Sequence, residues 1–210
     1  MDTHVRLVTA ISVLIFILMI PIALLNGVYG FIPDIVFFII LTLFYYWMFD
    51  TFRMNLPIFT LLIIGHILHA GGIFGWYYVS PVSVQWDHLT HIFGAFPYAL
   101  LFFRWMEQWM DEKFTKKNLL LLFAIFLAAT GVGAVVELSE FIGYLQLGAG
   151  EGAFMFGPGD GIAGKEGSDL IDTIGGGWIN EGWDFVYNTV GIVIGMVIMI
   201  IIRAVRRPRR

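Results

Sequence analysis

Six stretches of the chain stay apolar for about the 20 residues that a bilayer span requires. They cover roughly residues 7–26, 31–49, 56–79, 88–110, 118–146 and 180–202. The first is too long and too apolar to serve only as a signal peptide and lacks a small-residue cleavage site, so it reads as a retained anchor. The pattern predicts an all-α fold: a polytopic membrane helical bundle of six transmembrane helices, one domain over 1–210. Segment 147–182 breaks the pattern. It holds twelve of the chain's 24 glycines, and its irregular backbone would be left unsatisfied in lipid. Phe154, Met155, Phe156, Ile162, Leu170, Ile171 and Ile174 within it argue for packing. The stretch 147–179 therefore reads as a glycine-rich extracytoplasmic lid or re-entrant loop. It lacks the Lys-Ser/Thr ending of a phosphate loop and the acid spacing of an EF-hand.

Charge orients the bundle. Arg6, Arg53, Arg104, Lys113, Lys116, Lys117, Arg203, Arg206, Arg207, Arg209 and Arg210 flank the spans on one side, which is eleven of the twelve basic residues; only Lys165 falls on the other. Basic residues mark the cytoplasmic side, so both termini are expected in the cytoplasm. Eleven of the sixteen acids, among them Asp34, Asp87, Glu137, Glu140, Glu181 and Asp184, map to the outer half or outer loops.

Composition agrees with the pattern and narrows the chemistry. Hydrophobic residues make up 59% and charged residues 13%, against about 45–50% and 25% in soluble domains. That excludes a soluble enzyme, a nucleic-acid binder and a disordered regulator. The chain has no cysteine, which excludes disulfides, zinc–thiolate sites, iron–sulfur clusters and a Cys nucleophile.

Ionisable residues inside spans are costly and therefore functional candidates. Span three carries His66 and His69. Span four opens with Asp87, His88 and His91, of which Asp87 and His91 share a helix face at i,i+4. Span five ends with Glu137-Leu-Ser-Glu140, and span six opens with Glu181, Asp184 and Asn188. Glu137 lies 19 residues into its span, roughly 28 Å from the inner side; His69 lies roughly 20 Å into span three by the same rise. All these clusters share the outer depth. His66 alone fits a hydrogen-bonded core histidine, and His88 points about 100° away from Asp87 on a helix of 3.6 residues per turn.

Several carboxylates and histidines in a dry place need a counter-charge. A divalent metal supplies it, and imidazole with carboxylate ligands suits zinc, iron or manganese. The expected metal-site residues are His69, Asp87, His91, Glu137, Glu140, Asp184 and Asn188. Asp87 and Glu140 are the expected catalytic acid–base groups. Glu and His projecting into a bundle follow the logic of four-helix di-metal sites, although no Glu-x-x-His occurs here. Trp76, Tyr77, Tyr78, Trp86, Trp178 and Trp183 read as outer interfacial anchors, and Trp105 and Trp109 as inner ones. Gly191-Ile-Val-Ile-Gly195 is a GxxxG motif, with Gly131 and Gly133 as similar packing candidates; Pro21 and Pro97 are expected kinks.

Three segments taken in order carry a resemblance: Trp86-Asp87-His88-Leu-Thr-His91-Ile-Phe-Gly94, Glu137-Leu-Ser-Glu140-Phe, and Trp183-Asp184-Phe-Val-Tyr-Asn188-Thr-Val-Gly191. They resemble VanZ-like membrane proteins. With His69-Ala-Gly-Gly72, Trp76-Tyr77-Tyr78 and Pro81 preceding them, they resemble the YjdF-like inner-membrane proteins still more closely, over roughly residues 66–200. The YjdF-like pattern has Asp where this chain has Asn188, Arg where it has His88, and a shorter loop. The resemblance implies a polytopic helical membrane protein. Through the association of VanZ-like proteins with glycopeptide resistance, it points to the cell envelope.

The expected protein sits in the plasma membrane with its polar site extracytoplasmic. The first functional expectation is a metal-dependent enzyme acting on a lipid or lipid-linked envelope substrate, its partners being membrane lipids and not nucleic acid. A bound metal would generate the nucleophile without Ser or Cys. The second is an ion- or proton-coupled transporter. The third is a structural or accessory subunit of a membrane complex, in which the polar cluster locks the helices together.

Overall fold

The computed structural model describes residues 3–77, 79–147 and 176–206. They form six α-helices: α1 (Thr3–Asn26), α2 (Phe31–Trp47), α3 (Leu56–His69), α4 (Trp86–Met106), α5 (Lys116–Leu147) and α6 (Gly176–Arg206). No strand occurs among the described residues. Among the described residues four segments are long and apolar enough to cross a membrane: Thr3–Asn26, Leu56–Phe74, Lys116–Glu140 and Gly182–Arg206. α2 is apolar but shorter, and α4 is the most polar of the six. The loop expected over 147–179 falls on residues 148–175, outside the described residues, and on the helix ends that flank them.

Span three ends earlier than the hydrophobic run suggests. α3 starts where the Asn55 side chain accepts from the Ile58 amide at 3.1 Å, with Pro57 in the first turn. It gives way at His69 to a 3-10 turn, Ala70–Phe74, closed by Gly75 at φ 74°. The cause is local. Gly71 and Gly72 are weak helix formers, and their bare backbones accept aromatic rings directly. A Cβ on Gly71 would strike Trp76, and one on Gly72 would overlap Phe31. α1 and α4 both continue through their prolines, Pro21 and Pro97.

The helices pack as two halves. α1, α2 and α3 contact one another, as do α4, α5 and α6; the two halves meet chiefly where α3 packs on α4, and the Tyr45 hydroxyl of α2 meets the Tyr98 hydroxyl of α4 at 2.6 Å. Phe16, Phe31, Ile35, Phe59, Leu62 and Ile63 fill the first half, and Leu101 and Phe103 of α4 join that core. Outward surfaces of α1, α2, α5 and α6 carry Leu14, Leu18, Ile40, Leu120, Phe123, Val135 and Ile201 exposed. A soluble monomer rarely exposes so much contiguous apolar surface; a lipid-facing helix requires it.

The closest approach is between α4 and α6. A Cβ at Gly191 would overlap the Ile92 carbonyl oxygen, and one at Gly195 would come within 2.8 Å of the Phe96 carbonyl and 3.0 Å of the Ala99 methyl. The GxxxG expectation is met: small residues let two backbones touch. Gly131 differs, with nothing within 4 Å of its missing Cβ.

The opposite end of the bundle is tied by one arginine. Arg203 of α6 donates to the carbonyls of Glu107, Met110 and Asp111, the last at 2.8 Å. The α4–α5 turn is further shaped by Asn118. Its amide oxygen accepts from the Asp111 backbone at 2.8 Å, and its nitrogen donates to the carbonyls of Asp111 and Lys113. The Thr115 hydroxyl and then the Lys117 ammonium hold the Asp111 carboxyl below its ordinary value.

Gly191→Ala is expected to lower thermal stability in detergent, since overpacking a tight contact costs about 1–3 kcal/mol. Gly131→Ala, which meets open space, is expected to leave stability unchanged or raise it by up to about 1 kcal/mol through helix propensity. Equal melting shifts for the two variants would contradict this packing account.

Candidate metal centre

Three helices converge near the start of α4. Asp87 and His91 lie one turn apart on α4, Glu137 and Glu140 one turn apart on α5, and Asp184 and Asn188 one turn apart on α6. Spacings of three and four keep each pair on one face. All except His91 are buried, and His91 is nearly so, with 12% of its side chain exposed. Glu137 lies 21 residues beyond Lys116, the first residue of α5, or about 32 Å at 1.5 Å per residue. This end of α5 meets the start of α4 and the Asp184–Asn188 turn of α6.

His91 stands at the centre. Its Nε2 is 3.1 Å from Asp87 Oδ1 and 3.2 Å from Asp184 Oδ1, and its Nδ1 is 3.4 Å from Glu137 Oε1. Asn188 Nδ2 donates to the same Glu137 oxygen at 2.6 Å. Asn188 is itself seated against Gly133, where a Cβ would lie 3.0 Å from Nδ2. The ligand atoms of Asp87, His91 and Asp184 all lie within 4.8 Å of one another. Asp87 Oδ2 and Glu137 Oε2 are buried with no hydrogen-bond partner among the described residues.

The charge balance follows from the count. Three carboxylates surround one imidazole, which carries at most one positive charge, so full ionisation leaves two negative charges uncompensated. Buried uncompensated charge is expensive. A divalent cation bound by a neutral His91 would offset two of the three negative charges, and the donors, one imidazole nitrogen with carboxylate oxygens, suit zinc, iron or manganese.

The structure groups five of the seven residues expected at a metal site: Asp87, His91, Glu137, Asp184 and Asn188. Glu140 is buried one turn further along α5. His69 lies elsewhere. It ends α3, with Nε2 3.1 Å from Asp34 Oδ2 and Nδ1 3.1 Å from the Tyr77 hydroxyl. Asp34 was not among the expected site residues. It stands alone on α2 with no helical-spacing partner, and only its outer position hinted at a role. His66 is a core residue, its ring stacked on Phe38 at 4.7 Å and parallel to Tyr45. His88 turns from the cluster to stack on Tyr187 at 3.9 Å. Ser139 donates to the Val135 carbonyl, away from the cluster. The side chain of Glu181 lies outside the described residues.

One aromatic expectation is corrected. Trp86 is not an interfacial anchor: it is buried, donates from its indole nitrogen to the Leu68 carbonyl at 3.0 Å and meets Trp76 edge-on at 4.5 Å. A tryptophan at a helix start resembles a belt residue in sequence, but the bare backbone at Gly71 gives this ring an internal seat.

Asn188→Leu is expected to destabilise the fold by about 1–3 kcal/mol, because it strips a buried carboxylate oxygen of its donor. Asn188→Asp, which puts a further carboxylate against Glu137, is expected to cost at least as much. Urea or thermal melts in a single detergent would compare the two; an unchanged midpoint for both would contradict the Asn188–Glu137 contact.

Neither the curated proteins nor the solved structures include a match to this chain. One protein family does match, over residues 4–205, which takes in all but the end residues of the six helices and the whole cluster. Together with the apolar helices and their lipid-suited outer faces, this makes the chain a multi-pass membrane protein belonging to the family described as "Predicted membrane protein (DUF2238)".

Proposed function

We propose that the Asp87–His91–Asp184 group binds a divalent transition metal and that the protein is a metal-dependent membrane enzyme. The observation that carries this reading is the central imidazole flanked by carboxylates from three helices, with ligand atoms mutually within 4.8 Å. In this reading Asp87, Asp184 and His91 Nε2 are the ligands. Glu137 is then a positioning residue: it accepts from His91 Nδ1–H, fixes the tautomer and ring orientation, and is held by Asn188. Carboxylate–histidine–metal chains of this kind raise ligand basicity.

A metal held here would bring its bound water to a pKa of about 7 and so supply a nucleophile. Glu140 shares the α5 face with Glu137 and would accept the water's proton. The basic residues at the far end of the bundle support an extracytoplasmic location for the site. That depth, and the likeness of three segments to VanZ-like and YjdF-like proteins, supports a lipid or lipid-linked envelope substrate in the plasma membrane.

Elemental analysis of purified protein, prepared without chelator, tests the proposal. About one zinc, iron or manganese ion per chain is expected in the wild type. Asp87→Ala and Asp184→Ala, if folded, are expected to lose it. Glu137→Gln is expected to retain it with an affinity about 10–100-fold weaker, the usual effect of removing an orienting group. Metal-free wild-type protein that takes up no ion on titration would sink the proposal.

A further inference from the structure

The second histidine–carboxylate pair lies in the other half of the bundle and takes no part in the His91 cluster. Asp34, in the first turn of α2, has no exposed surface, and its Oδ2 faces His69 Nε2 at 3.1 Å. The other ring nitrogen faces the Tyr77 hydroxyl at 3.1 Å. A carboxylate on one imidazole nitrogen fixes the tautomer and leaves the other nitrogen as the acceptor. A hydroxyl opposite that nitrogen completes the carboxylate–imidazole–hydroxyl order by which a hydroxyl is activated as a nucleophile.

The surroundings are apolar and partly open. Phe31 and Phe38 meet the His69 ring edge-on at 5.9 and 5.4 Å, and Phe31 stacks on Tyr77 at 6.0 Å. Gly72 makes this box possible, since a Cβ there would occupy the space of the Phe31 ring. Asp34 is sealed, but 20% of the His69 side chain is exposed, so the unit opens on the imidazole side. Tyr77 also lies 3.4 Å from the Thr90 hydroxyl, whose own hydrogen goes to the Asp87 carbonyl at 2.7 Å. Thr90 therefore competes as an acceptor and supplies no proton.

We propose that Asp34, His69 and Tyr77 form a second reactive centre, distinct from the His91 cluster, which acts on an electrophilic ester-type group carried on an apolar molecule. The Tyr77 oxygen bonds to the electrophilic atom, its proton passes to His69 Nδ1, and the bond to the leaving group breaks. The leaving group departs with the electron pair and takes up that proton. Asp34 is the positioning residue for His69. This centre needs no metal, so its test stands apart from the metal analysis.

An aryl sulfonyl fluoride serves as the probe: a tyrosine oxygen bonds to its sulfur and fluoride leaves. Full-length protein in detergent with chelator is treated with the probe, and labelled tyrosines are quantified by peptide mass spectrometry. Tyr29, 63% exposed, is the internal standard. Tyr77 is expected to label at least about tenfold faster than Tyr29 although it is less exposed, a modest part of what a positioned base contributes. His69→Phe and Asp34→Asn are expected to bring Tyr77 down to the Tyr29 rate, and Thr90→Val, which removes only the competing acceptor, to leave it unchanged or raise it. Wild-type Tyr77 labelling no faster than Tyr29 overturns the proposal with no variant needed. Wild-type rates in a folded His69→Phe protein overturn it equally.

Discussion

An imidazole set among three buried carboxylates is tolerable only while each group keeps its neighbours. Remove His91, and Asp87, Glu137 and Asp184 face one another with no imidazole between them. The contact reaches across α4, α5 and α6 at once, so the positions of three helices are specified by one ring. This constraint explains why α4, the least apolar helix, is also the one that packs against α3, α5 and α6. A polar helix can persist in a membrane only when other helices hide it.

The same two helix faces carry both the chemistry and the packing. On α4 the stripe runs Asp87, His91, Ala95, Ala99, and on α6 it runs Asp184, Asn188, Gly191, Gly195. At the Asp87 end the stripes meet through charge. Further in they meet through absent side chains, with the α6 glycines resting on the Ile92 and Phe96 carbonyls. The close approach at the glycines is consistent with a side chain as short as aspartate reaching His91 from α6 at 3.2 Å.

Much of this was legible in the chain itself. Spacings of three and four, together with span direction, place Asp87, His91, Glu137, Asp184 and Asn188 at one depth from the sequence. What periodicity could not supply was partner choice between distant helices. His69 shares the depth of the cluster, yet its partner is Asp34, thirty-five residues upstream, because α3 packs between α2 and α4 and turns this ring to the α2 side. Trp86 was misread for a related reason: what decides its fate is a seat left open by Gly71, and an absent side chain announces no partner. Arg203 was legible only as a topology signal, since the carbonyls it binds become available after the α4–α5 turn has formed.

The one-turn pairing of Asp87 with His91 at 3.1 Å within α4 bears on how the protein is made. Asp184 follows His91 by 93 residues, roughly 5–20 s of synthesis at 5–20 residues per second. For that interval α4 exists without α6. A lone carboxylate on a newly delivered helix would oppose its transfer into lipid, but one already facing an imidazole on the same helix arrives with a companion. The first half of the chain can close around its own core meanwhile, and α4 can wait against α3 until α5 and α6 are delivered. The Asp87–His91 pair is thus the one part of the finished cluster that α4 carries by itself.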